Sequence, residues 1–241
     1  MGEPLLELKA VSKTFGGIDA NADVSFSVES SAIVGLIGPN GAGKTTLFNC
    51  ITGYYPVSRG EIHFKGRRID GLQPDKLCKL GMVRTWQKVR PLAKLSVLDN
   101  VIVGALARTW RLPVAREIAR AQLRVVGLEH KQQQLAGSLS IGERKKLELA
   151  RALATRPELL LLDEVMGGLN PTESEEIVQL LLELKRCGLT QIVIEHDMKS
   201  IMRISDRIVV LNSGLKLAEG APREVAENPA VIVAYLGARD E

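Results

Sequence analysis

The chain has 241 residues, 45% hydrophobic and 25% charged, the make-up of an ordinary globular protein with room for one sizeable core. Its net charge of +4 and pI near 9.0 are mild, and the densest basic spots, Arg67-Arg68 and Arg144-Lys145-Lys146, are too short for a nucleic-acid-binding stripe. Cys50, Cys78 and Cys187 form no Cys-x-x-Cys pair, and no run of eighteen apolar residues occurs, so a zinc site, a disulfide framework and a membrane span are not expected.

Met1-Gly2-Glu3-Pro4 leads into no apolar signal core, and Leu6 stands where a myristoylation motif needs Ser or Thr. Leu6 to Lys9 alternates as a half-buried strand, and Val24, Phe26 and Val28 repeat that period. Lys13-Thr14-Phe15-Gly16-Gly17 reads as the loop between them. The apolar run Ala32 to Ile37 is a buried strand, followed at once by Gly38-Pro39-Asn40-Gly41-Ala42-Gly43-Lys44-Thr45 and a helical stretch from about Thr46. This is the strand–loop–helix context that the phosphate-binding pattern G-x-x-x-x-G-K-[S/T] requires. The glycines let bare N–H groups point at phosphate oxygens, and the helix start adds its unpaired donors and positive dipole end. Lys44 brings a full charge to the outer phosphates, and the Thr45 hydroxyl can ligate Mg²⁺. The chain is therefore expected to bind a nucleoside triphosphate.

A short strand is expected within Gly60 to Gly66, and another from Gly81 to Gln87 that ends in a polar amide. From Ser96 to Val126 the pattern turns helical and interrupts the strand–helix alternation. Pro113 suits a first turn there, and Val114, Ile118, Ala121 and Val125 form an apolar stripe. Alternation then resumes: a helix from Gly142 to Ala154, a buried strand from Leu159 to Leu162, a helix from Pro171 to Arg186 and a strand from Gln191 to Glu195. Asn170, Pro171 and Glu173 mark one end of the third of these, and Lys185-Arg186 before Gly188 the other. A strand from Arg207 to Leu211 and helical pieces from Pro222 to Leu236 complete a mostly parallel sheet wrapped by helices.

Leu159 to Leu162 runs into Asp163-Glu164, so a buried strand delivers two carboxylates to the sheet edge where ligands bind in α/β folds. Beside a phosphate loop, one can hold Mg²⁺ and the other can position or deprotonate an attacking water. Leu139-Ser140-Ile141-Gly142-Glu143 opens a helix and admits two readings, a capping box or a second anion-binding helix start. Gln87 and His196 each follow an apolar strand, where either can edge the same pocket or serve as an ordinary turn or surface residue. Phe15 is either core or a ring that stacks on a base.

Together these residues resemble the nucleotide-binding subunit of an ABC transporter, nearly end to end. The resemblance implies one ABC ATPase domain over 1–241, of the α/β P-loop type with an antiparallel β part near the N-terminus. It divides into an N-terminal β part and P-loop core (1–90), a helical subdomain ending in the signature helix (91–155) and the rest of the core (156–241). It implies ATP and Mg²⁺ as ligands, held by Gly38 to Thr46, with Phe15 against adenine and Thr45, Gln87 and Asp163 at the metal. Glu164 becomes the catalytic base, His196 the switch histidine, and Gly167-Gly168-Leu169-Asn170 the D-loop. Ser140 and Gly142 become the wall that a second ATPase subunit in a head-to-tail dimer places over the γ-phosphate.

The stretches Met82 to Gln87, Gly168 to Glu173, Glu195 to Met198 and Asn228 to Gly237 resemble ATPases of branched-chain amino-acid importers. That likeness implies permease subunits, a solute-binding protein as indirect partner, and a peripheral place on the cytoplasmic face of the membrane. Another importer, a lipid or lipopolysaccharide exporter, or a soluble regulatory ABC protein linked to nucleic acid are the alternatives, the last opposed by a single cassette without a basic extension. The sequence departs from the family at three points: Ile141 replaces glycine, Glu143 replaces glutamine, and Val165 replaces the proline after the catalytic glutamate. Arg144, Lys145 and Lys146 are expected to offset the charge of Glu143.

Overall fold

In the computed structural model, which describes residues 3–86 and 90–236, the alternating direction of side chains along the strands sorts the buried residues into two cores. The first strands are β1 (Leu6–Phe15), β2 (Ile18–Val28) and β3 (Ile33–Ile37), followed by helix α1 (Lys44–Ile51). Then come β4 (Arg59–Phe64), β5 (Arg67–Arg68), α2 (Pro74–Leu80) and β6 (Met82–Arg84). Three helices follow: α3 (Val97–Ala105), α4 (Leu112–Val125) and α5 (Ile141–Ala154). The remainder is β7 (Leu159–Asp163), α6 (Pro171–Arg186), β8 (Thr190–Ile194), α7 (Met198–Ile204), β9 (Arg207–Asn212), β10 (Leu215–Gly220), α8 (Pro222–Ala226) and α9 (Pro229–Leu236).

The strands make two sheets, an antiparallel one in the order β2-β1-β4-β5 and a larger one in the order β10-β9-β3-β8-β7-β6. Within the larger sheet β9, β3, β8, β7 and β6 run parallel, and β10 pairs antiparallel at one edge. Side chains along a strand point alternately to opposite faces. On one face Ile33, Ile37, Leu160, Leu162 and Val193 pack with α3 to α6. On the other Val34, Leu36, Leu159, Leu161 and Ile194 pack with Leu47, Phe48 and Ile51 of α1 and with the inner face of the antiparallel sheet. Both faces of the parallel strands are covered, so they read as continuous apolar runs.

Three expectations need correction. The first strand reaches Phe15, and only Gly16-Gly17 turns the chain into β2, so Lys13 to Phe15 belong to a strand and not to a loop. The expected helical lobe is two helices, α3 and α4, before α5. On α4 the buried residues are Ala115, Ile118, Ala119 and Leu123, with Val125 46% exposed; the stripe is rotated from the expected Val114–Ile118–Ala121–Val125 line. The strand expected to end at Gln87 is β6, which ends at Arg84. Gln87 itself lies outside the described residues. The helix from Pro171 to Arg186 has the expected bounds, with Asn170 Oδ1 accepting from the Glu173 N–H at 2.9 Å.

Candidate functional site

The strands β3, β8, β7 and β6 lie side by side and parallel, and Leu36, Ile194 and Asp163 are level in register. The segments after these strands therefore emerge on one edge, the ligand edge of an open α/β sheet. They are the loop Gly38 to Gly43, the pair Glu195-His196, the pair Asp163-Glu164, and Thr85-Trp86.

The loop after β3 is shaped by backbone. Gly38, Gly41 and Gly43 carry φ of 152°, 78° and 95°, a region that side chains disfavour. At two positions no side chain would fit: a Cβ on Gly38 would stand 2.1 Å from the Leu211 carbonyl oxygen, and one on Gly43 2.4 Å from that of Ala20. The Pro39 carbonyl accepts from the Ala42 N–H at 3.2 Å, closing the turn, while Asn40, Gly41 and Thr45 face solvent. Gly43 offers no side chain to cap α1, so the first donors of that helix are left for an anion. Lys44 is buried and donates to the carbonyls of Gly38 (2.6 Å) and Pro39 (2.9 Å). Burial lowers its pKa, against the attraction of Glu164 and Asp163.

Asp163, at the end of β7, is 2% exposed and pairs through Oδ2 with Arg84 of β6 at 2.5 Å. The guanidinium also donates to Asn49 Oδ1 at 2.5 Å and lies 4.6 Å over the Trp86 ring. Asp163 Oδ1 is buried with no hydrogen-bond partner among the described residues. Thr45, Asn49, Arg84, Trp86 and Asp163 share a cleft of about 590 Å³. On the other side of Asp163, Glu164 Oε1 lies 2.9 Å from His196 Nε2, and both line a second cleft of about 550 Å³ with Gly167, Gly168 and Leu169. The structure thus brings together Thr45 with Asp163, and Glu164 with His196. Phe15 is 43% exposed, its ring edge-to-face with Tyr55 at 5.2 Å between centroids.

Ser140 and Gly142 line neither cleft. Ser140 caps α5 in the expected box: its Oγ accepts from the Glu143 N–H at 3.2 Å, and Glu143 Oε2 accepts from the Ser140 N–H at 2.9 Å. The charge of Glu143 is offset by Lys131 and not by the expected neighbours, so its pKa is lowered chiefly by that hydrogen bond. Arg144 instead donates to the Gly137 carbonyl (2.8 Å), Lys145 to the Glu164 carbonyl (2.7 Å), and Lys146 pairs with Glu176 (2.5 Å). Successive residues of a helix face about 100° apart, so the three point to different neighbours.

A family model described as ABC transporter matches residues 22–167, more than half of the chain. A second, described as Branched-chain amino acid ATP-binding cassette transporter, matches residues 216–241. The high-affinity branched-chain amino acid transport ATP-binding protein LivG of Salmonella typhimurium is 42% identical, over 98% of this chain and 99% of that protein. The chain belongs to the ATP-binding cassettes of ABC transporters.

This cassette superposes on an ABC cassette solved in its ADP conformation with a TM-score of 0.89 and 32% identity, covering 98% of this chain and 100% of the other. It also resembles a bacterial ABC transporter cassette solved as a dimer, with a TM-score of 0.80 and 29% identity over 90% and 99% of the two chains. ABC cassettes are ATPases, and the cassette is the ATP-binding, ATP-hydrolysing subunit of its transporter. No helix among the described residues is long and apolar enough to cross a membrane.

Sequence reasoning missed Arg84, Glu148 and Glu195 and misassigned Lys145. Arg84 is separated from Asp163 by 79 positions, and nothing in its own neighbourhood marks the pairing. Glu195 did carry a signal, a carboxylate directly after a buried strand. It is 4% exposed, accepts from the Met166 N–H at 2.7 Å, and is pushed up to about 7 chiefly by burial.

Proposed function

We propose that this cassette energises the import of branched-chain amino acids, working on the cytoplasmic face of the membrane against permease subunits that a solute-binding protein loads. The cargo reading is supported by LivG and by the C-terminal match, the catalytic reading by the Glu164–His196 pair beside the phosphate loop. In this reading the backbone donors from Gly38 to Thr46 and the Lys44 ammonium bind the triphosphate, and Phe15 receives the adenine. His196, its Nε2 2.9 Å from Glu164 Oε1, orients the carboxylate. Glu164 takes a proton from a water as its oxygen bonds to the γ-phosphorus and the bond to the bridging oxygen breaks, giving ADP and phosphate. A second ATPase subunit supplies its Ser140 and Gly142 from across the seam, which accounts for their absence from the two clefts.

The residues present fit Mg²⁺. Asp163 Oδ1 is a buried acceptor without a partner among the described residues, in the cleft that Thr45 also lines. Thr45 and Asp163 would hold the ion, with Gln87 the expected third ligand. An ion held there would supply positive charge against the phosphate oxygens.

The test of the base is Glu164→Gln. ATP binding is expected to persist while hydrolysis falls by about 10²-fold or more; hydrolysis at the normal rate removes Glu164 from the role. For the cargo, ATPase activity of the transporter in liposomes is measured with its binding protein loaded with leucine. Stimulation is expected, and a response confined to another class of solute would reassign the importer.

A further inference from the structure

Helix α5 reaches the segments at the ligand edge through Lys145 and Glu148, which lie three residues apart on one helix face and are each 6% exposed. Lys145 Nζ donates to the Glu164 carbonyl at 2.7 Å, and Glu148 Oε1 accepts from the Trp86 N–H at 2.8 Å. One helix therefore holds the segment after β7 and the segment after β6.

The backbone that Lys145 holds is a strained one. Glu164 has φ of 51°, the left-handed region, which a residue other than glycine keeps only where its surroundings enforce it. The Glu164 N–H donates to the Ile194 carbonyl (2.9 Å), and the Glu164 carbonyl accepts from the Gly167 N–H (3.2 Å) and from Lys145. Glu195 anchors the Met166 N–H at 2.7 Å. Val165 follows Glu164, so no proline ring fixes the next φ. A buried ammonium is costly unless it is hydrogen-bonded and compensated. Glu195, Glu148 and Glu164 are the acids that oppose the burial penalty on Lys145.

We propose that Lys145 is a positioning residue for hydrolysis: its ammonium clamps the Glu164 carbonyl, and α5, tied also to Trp86 through Glu148, sets the aim of the Glu164 carboxylate. This rests on Glu164 being the base. The clamp does locally what a proline after the catalytic glutamate would otherwise do, restricting the loop, but it does so from another element. The geometry of Glu164 thereby depends on where α5 stands.

Lys145→Met and Lys145→Arg are compared with the unaltered protein and with Glu164→Gln, measuring the ATP dissociation constant by fluorescent-nucleotide titration and kcat by phosphate release. The methionine variant is expected to lose on the order of 10²-fold in kcat, the scale of a misplaced catalytic group. Its affinity for ATP should stay within about threefold, and the arginine variant, which can still donate to the carbonyl, should recover most of the rate. If the methionine variant does not fold, Lys145→Gln, polar but too short to reach the carbonyl, carries the same expectation. A near-normal kcat in either variant, a proportional loss of ATP affinity, or an arginine variant as slow as methionine would overturn the clamp. Glu164→Gln separates the two claims: normal hydrolysis there removes the base assignment, whatever Lys145 does.

Discussion

The loop after β3 and the pair at the ends of β7 and β8 sit on one sheet edge yet are built in opposite ways. From Gly38 to Lys44 the proposed phosphate contacts are backbone N–H donors, Pro39 excepted, in a loop shaped by positive φ and by close approach to Leu211 and Ala20. The proposed roles of Glu164 and His196 fall to side chains separated by 32 positions, with the Glu164 backbone held by Ile194 and Lys145. At Gly38 and Gly43 the first kind of site admits no added Cβ. The second depends on the chemistry of its side chains and on the partners that aim them. Asp163 stands between the two, a side chain buried as deeply as backbone and committed to Arg84.

The sharpest way to break the backbone half is Gly38→Ala. Its Cβ would stand 2.1 Å from a main-chain oxygen that cannot swing away, so a loss of at least about 4 kcal/mol in unfolding free energy and no detectable nucleotide binding are expected. Chemical denaturation with a fluorescent nucleotide checks both. Arg84→Met probes the middle case. It leaves the Asp163 carboxylate buried without its cation, and removing one partner of such a pair costs about 3–5 kcal/mol by denaturant titration. A change under about 1 kcal/mol would mean that water reaches Asp163 and that the pair acts as a surface bridge.

The smallest effect tests how side chains on the β8 edge respond to pH. Burial raises the Glu195 pKa to about 7, above its ordinary value of 4.5, so the folded state binds the proton more tightly than the unfolded chain does. Its contribution to stability is fully present below about 4.5 and is lost as pH rises through about 7. Glu195→Gln, neutral throughout, should remove that slope between those limits when melting is followed against pH. An unchanged slope would place the titration elsewhere.

Legibility followed the range of the forces involved. Helix α6 was readable to its bounds because its stops are local: Asn170, Pro171 and Glu173 at one end, Lys185 and Arg186 at the other. Strand β1 was truncated in the reading because its alternation is broken by register shifts between Leu8 and Val11 and on to Thr14, and a bulge hides the period. On α4 the larger valines drew the stripe, whereas packing against α3 and α5 selected Ala115 and Ala119, small residues that admit close helices.

The sequence by itself determined the phosphate loop, the acidic end of β7 and the order of the ATPase motifs, because each is a run of neighbours whose chemistry is carried by residue type and spacing. Only the tertiary structure decided that Asp163 pairs with Arg84, that Glu143 is balanced by Lys131, and that Lys145 leaves its basic neighbours to hold the Glu164 carbonyl. Those are matters of which side chains a fold brings within about 3 Å, and hydrogen-bond energy falls too steeply with distance for spacing along the chain to predict them.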